Sequence, residues 1–192
     1  MSQLKLVRLD GRHMMHFERL MGGRDFAGCY CAVWTGFGPD WEARCKERPK
    51  ENLAATEARV RAGDHLGYLL MRDDDGAFVG WVAAGPKANY PYLKERPGSR
   101  LGGSPEGVWA IACLAMGFAH RGRGYSAEAV RLAIVEAKAA GATKLEAYPL
   151  EPGPVGSEYR GSKALYEKAG FTAAEGEPSG EVHALRMELI LA

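Results

Sequence analysis

The sequence predicts one α/β (α+β) domain, and three observations carry that expectation. Val108–Met116 (VWAIACLAM) is an unbroken apolar run, the right length for a buried central strand. A helix-period segment, Tyr125–Ala140, follows it after a short connector and stops at Gly141. Two strand-forming runs, Leu66–Arg72 and Ala77–Ala84, precede it and flank Asp73-Asp74-Asp75-Gly76, a good hairpin turn.

The other elements follow in order. Leu4–Leu9 reads as an opening strand. Arg12–Met21 has helical apolar spacing, with Met15, Phe17 and Leu20 as inward candidates. Residues 28–34 (GCYCAVW) are rich in strand formers. Lys46–Arg61 reads as helix, interrupted near Pro49. Residues 85–107 form a long loop with Pro and Gly throughout, and a loop of that length usually serves function or mobility. Within the Tyr125 helix the apolar positions are Val130, Leu132, Ile134 and Val135. Thr143–Tyr148 is a further strand ended by Pro149, and 149–157 a loop. Gly161–Ala169 is a short helix with Gly170 after it, and Phe171–Ala174 and His183–Leu191 suit two closing strands.

Composition bounds the function. The 192 residues suffice for one domain with its own core, so 1–192 reads as a single unit. Its motif-bearing part is 66–191, with 1–65 contributing an opening strand and helices. A formal net charge of +1 gives no field suited to nucleic acid or an anionic membrane. No apolar run approaches the ~20 residues needed to cross a bilayer. Cys29, Cys31, Cys45 and Cys113 lack the paired spacing of a metal site, so no metal is expected, and they read as small buried hydrophobes. The expected setting is a reducing cytoplasm.

Chemistry concentrates where the central strand hands over to the helix, at His120-Arg121-Gly122-Arg123-Gly124-Tyr125-Ser126. A helix N-terminus presents unpaired N–H groups and the positive end of the helix dipole. Glycines let the backbone approach an anion with no Cβ in the way. Arg121 and Arg123 add charge, so the segment suits phosphate. It reads equally as a glycine-containing surface turn with solvated arginines. Gly122-x-Gly124-x-x-Ala127, with Glu146 downstream, also matches a dinucleotide fingerprint. That match should follow its strand directly, yet residues 117–121 intervene, and it normally opens the fold.

Taken with ALYEKAGF at 164–171, LAMGFAHRGRG at 114–124 resembles the GNAT acetyltransferase superfamily. The resemblance is firm over about 108–172 and extends from 66 to the end. The match departs at Ala119 or Ser126, depending on register, and at Tyr159, where the family often has Asn. It implies a mixed, mostly antiparallel sheet of six to seven strands flanked by helices, with splayed central strands forming an acyl-CoA cleft. It implies acetyl-CoA as donor and a small-molecule primary amine as acceptor, joined by direct attack. Backbone groups at Leu114 and Met116 would align the pantetheine arm, with the Met116 N–H on the thioester carbonyl. Arg121, Gly122, Arg123, Gly124, Tyr125 and Ser126 would hold the pyrophosphate, and Tyr159 would contact CoA or the acceptor. Tyr166 is the implied proton donor to the CoA thiolate and Glu146 the candidate base. Acceptor choice is expected from Tyr90 and Tyr92 in the 85–107 loop, from 149–160, and from the N-terminal helices. The alternatives are a protein N-terminal or lysine acetyltransferase and a non-catalytic acyl-CoA-binding module. A monomer or homodimer would suit any of these.

Overall fold

The computed structural model describes residues 3–37, 41–94, 104–149, 158–174 and 185–191. Seven strands form one sheet: β1 (Leu4–Arg8), β2 (Tyr68–Arg72), β3 (Phe78–Pro86), β4 (Val108–Met116), β5 (Lys144–Ala147), β6 (Thr172–Ala173) and β7 (Met187–Ile190). Their spatial order is β1-β2-β3-β4-β5-β7-β6. All neighbours are antiparallel except β4 and β5, which α5 (Tyr125–Ala139) connects as a parallel crossover. The expected mixed, mostly antiparallel sheet is therefore what forms.

β4 is buried along its whole length, as its apolar run requires. Trp109, Ile111, Leu114 and Met116 face the layer of α5 and α6 (Lys163–Lys168), where Ala129, Val130, Ala133, Ala137 and Tyr166 pack. Ala110, Ala112, Cys113 and Ala115 face the opposite core, with Phe17 of α1 (Met14–Met21), Trp34 and Trp81. Strict alternation fails at Ala112 and Cys113, which share a face. The cause is a bulge: Ala83 pairs with Cys113 and Ala84 with Ile111, leaving Ala112 extra on β4. This bulge resets the phase, so Leu114 and Met116 return to the α5 side.

β4 pairs with β5 only from Val108 to Ile111. Beyond that point β5 ends at Ala147, and among the described residues no strand pairs with β4 on that edge as it continues to Met116. The splayed gap implied by the family resemblance lies here.

Corrections to the sequence reading are local. Residues 28–34 do not form a strand. Ala27, Gly28, Tyr30 and Cys31 all take positive φ, and a π-helical turn covers Val33–Phe37. Two buried polar residues of α3 (Pro49–Arg61) explain this. Asn52 Nδ2 donates to Gly28 O (3.1 Å) and Thr56 Oγ1 to Tyr30 O (2.8 Å). Side chain–backbone bonds thus hold a turn that local propensity would have made a strand. The interruption near Pro49 is real: α2 (Trp41–Glu47) ends just before it and α3 starts on it. On α1, Phe17 is buried as expected, whereas Met15 is 71% exposed and Met21 takes an inward place. Within the 85–107 loop, a 3-10 turn (Lys87–Asn89) and α4 (Pro91–Lys94) form, while 95–103 lies outside the described residues. The 149–157 loop, beyond Pro149, and the start of the last expected strand also lie outside them.

Candidate active site

The gap beside β4 opens into a cleft of about 560 Å³. Its floor is the free edge of β4. Gly117 N donates to Val79 O of β3 (3.0 Å). Successive amides along a strand point to opposite edges. Met116, and Leu114 two residues back, therefore aim their N–H and C=O into the gap. Arg121 confirms the direction, because its Nε donates to Met116 O (3.2 Å).

The cleft's end wall is the N-terminus of α5. Gly122 and Gly124 adopt φ of 70° and 77°, and a Cβ on either would meet nothing within 4 Å. Left-handed backbone favours glycine here, and the open space leaves the main chain accessible. Ala127 N and Glu128 N close the first helical turn onto Gly124 O. None of the amides of residues 122–126 donates to a protein acceptor among the described residues. Five adjacent free donors at a positive helix end form an anion cradle. The residues present thus fit a phosphate-bearing cofactor.

Of the expected cofactor contacts, Leu114, Met116, Arg121, Gly122, Gly124, Tyr125, Ser126 and Tyr159 all line this cleft, and Arg123 does not. Arg121 is already engaged: its guanidinium bonds Asp25 Oδ2 (2.6 Å) and lies near the rings of Phe26 and Phe118. It ties the cleft floor to the turn around residue 25. His120 also lines the cleft, tilted against Tyr125. Asp25, Phe26 and Leu165 line it too, and no sequence signal pointed to them.

Tyr166 is fully buried in the α5-side core, with its ring edge-on to Phe171. Its hydroxyl donates to Arg160 O (2.9 Å). Burial, and secondarily Cys113, pushes its phenol far above the ordinary value, so it stays protonated. It is not among the described cleft-lining residues.

Glu146 is also placed away from the described cleft lining. Its carboxylate accepts from Lys87 Nζ (2.6 Å) and Tyr148 Oη (2.6 Å), and Lys144 Nζ lies 3.1 Å away. Lys87, Glu146 and Tyr148 are essentially without solvent contact. Burial pushes the Glu146 carboxyl up, but Lys87, Tyr148 and Lys144 outweigh it and hold it below its ordinary value. Such a group is a buried anchor with its lone pairs occupied and its basicity reduced. Lys87 gave no sign of this role in the sequence.

A second cavity, about 190 Å³, lies on the Cys113 face of β4 and shares Asp25, Phe26 and Tyr159 with the cleft. All four cysteines line it. Hydrogen bonding to Cys45, then burial, raises the Cys29 thiol, and Cys113, then burial, raises Cys31. Cys29 and Cys31 are therefore neutral walls. Tyr90, expected to face a ligand, is instead fully buried with its hydroxyl on Leu66 O (2.9 Å). Tyr92 packs edge-on to Trp34, a wall of this cavity. Among the described residues no helix is long and apolar enough to cross a membrane, and no group of three or more His, Cys, Asp or Glu could hold a metal.

A sheet parted beside a free-edge strand, with an anion cradle at the gap, defines the acyl-CoA transferase type of α/β protein. Residues 29–171 match the model of the Acetyltransferase (GNAT) family, and the chain belongs to that family. No curated protein matches the sequence. Solved structures share the fold at low identity. AAC(6')-Ib in complex with paromomycin and acetyl-CoA is similar at a TM-score of 0.62 and 16% identity, over 98% of this chain and 94% of that one. Mutant forms of the spermidine/spermine N-acetyltransferase SpeG from Vibrio cholerae give 0.58 and 13%, over 98% and 95%. The PaiA N-acetyltransferase from Thermoplasma acidophilum, in complex with coenzyme A, gives 0.55 and 13%, over 98% and 99%.

Proposed function

We propose that this protein transfers an acetyl group from acetyl-CoA to the primary amine of a small molecule by direct attack. The observation that carries the reading is the row of free 122–126 amides beside the unpaired edge of β4. Family membership supports acyl transfer, and complexes of structural neighbours with coenzyme A or acetyl-CoA support the donor.

When bound, acetyl-CoA supplies the thioester to be cleaved. The cradle holds the pyrophosphate through main-chain N–H groups, with the helix dipole behind them. The Leu114 amide aligns the pantetheine arm, and the Met116 N–H stabilises negative charge on the thioester oxygen. Tyr159 lines both cavities and bounds the reacting region. Tyr166 is the candidate donor of a proton to the leaving sulfur, a role that requires its hydroxyl to leave Arg160 O and reach the cleft, which it does not line in the resting structure. Glu146 holds β5 to the Lys87 turn as an ion-pair anchor.

Isothermal titration with acetyl-CoA, with NADH as control, tests the donor. Saturable acetyl-CoA binding without NADH binding is expected, followed by thiol release when primary amines are supplied. Absence of acetyl-CoA binding would sink the reading, and NADH binding in its place would replace it with a dinucleotide site.

A further inference from the structure

The smaller cavity lies on the Cys113 face of β4 and shares Asp25, Phe26 and Tyr159 with the cleft. On the acetyl-transfer reading, this is where the acceptor sits. Its described walls are mostly thiols, aromatic rings and small apolar side chains, and two charged residues interrupt them, Asp25, which is bonded to Arg121, and Arg160. The Arg160 guanidinium lies over the Trp34 ring (4.8 Å) and near that of Tyr159 (5.9 Å). Its Nε is buried without a hydrogen-bond acceptor, and no carboxylate pairs with it among the described residues. The residue is fixed from behind by Tyr166, whose hydroxyl holds its carbonyl.

Tyr159 is the polar neighbour of this guanidinium, but a buried cation with no counter-charge is costly, and a ligand anion meeting its outer N–H groups reduces that cost. The planar fork fits a carboxylate with two parallel hydrogen bonds. The same cavity disfavours a polycation. Its described carboxylate, Asp25, is already bonded to Arg121 at 2.6 Å, so Arg160 would face an extended polyamine unopposed. The volume, about 190 Å³, admits a small acceptor and no oligosaccharide.

We infer that the acceptor is a small amine that also carries a carboxylate, of the amino-acid type, and that Arg160 binds that carboxylate. This deepens the proposed function and rests on it. The bond made is N–C(acyl), and the bond broken is C–S. The amine proton leaves to solvent, and the thiolate is protonated.

The test compares L-leucine with L-leucinamide and isoamylamine in thiol release. It also titrates N-acetyl-L-leucine and its amide onto the protein in the presence of CoA. The acid is expected to be preferred on the order of 100-fold in kcat/KM, because a site built for a charged partner rejects analogues lacking it. Arg160→Ala should erase that preference by losing activity on the acid alone. Arg160→Lys should restore part of it, with acetyl-CoA affinity unchanged in both variants. Equal use of acid and amide would overturn the inference, as would failure of the N-acetylated acid to bind or an Arg160 variant that weakens acetyl-CoA. Failure of acetyl-CoA itself to bind would instead strike the donor assignment, while the N-acetyl-L-leucine titration would still judge Arg160.

Discussion

Glu146 separates two roles that predict opposite results. Glu146→Gln keeps the side chain's shape and removes its charge, so buried Lys87 loses the carboxylate now 2.6 Å from its Nζ. Removing one member of a buried pair costs about 3–5 kcal/mol. A domain of this size loses roughly 2–4 °C per kcal/mol, so the melting temperature should fall by roughly 6–20 °C. The double variant Lys87→Met with Glu146→Leu removes both charges and should recover part of that loss, the remainder reflecting the buried Tyr148 hydroxyl left without its acceptor. Thermal and urea melts would be run beside acetyl-CoA titration and thiol release below the melting range. The folded Gln variant should keep its acetyl-CoA affinity and its turnover to within about tenfold. A variant that melts like the parent yet turns over about a hundredfold slower would refute the anchor reasoning and establish Glu146 as the base.

Tyr166→Phe should slow turnover by about a hundredfold or more at unchanged acetyl-CoA affinity, as loss of a proton donor does. Intact turnover with a raised KM for the amine would make Tyr166 a positioning residue acting through Arg160. Gly122→Asp puts a carboxylate at an open cradle position and should weaken acetyl-CoA by about tenfold or more, while the left-handed φ of 70° costs about 1–2 kcal/mol and a few degrees of melting temperature. Titration calorimetry reads the first and calorimetric melting the second. His65 is held at about 4, below its ordinary 6.5, by burial and then by Arg8. The unfolded chain therefore binds a proton that the folded one refuses between those values, and stability should rise with pH across that window. Urea melts of wild type and His65→Phe should differ by on the order of 1–3 kcal/mol in the stability gained across that window, and parallel pH profiles would contradict it.

The central architecture was legible because local pattern and tertiary environment agreed. Val108–Met116 is apolar throughout and buried throughout, and the Tyr125 helix ends within a residue of its expected boundary. The cradle was legible because its chemistry is main-chain and depends on glycine placement. What escaped the sequence was set by long-range contacts. The strand expected at 28–34 gave way to Asn52 and Thr56 bonding its carbonyls from another helix. Arg160 and Trp34 are far apart in sequence, so their stacking had no local trace. Lys87 looked like a loop lysine until the fold set it against Glu146.

The parting of β4 from β5 after Ile111 has a consequence for reaction order. On the proposed reading, it sets the donor cleft and the acceptor cavity on opposite faces of β4, with Tyr159 lining both. Neither ligand has to leave for the other to arrive, so both can occupy the protein together and no acyl group has to be parked on the chain between visits. Double-reciprocal plots at several fixed amine concentrations should therefore intersect, where a relay through Cys113 would make them parallel.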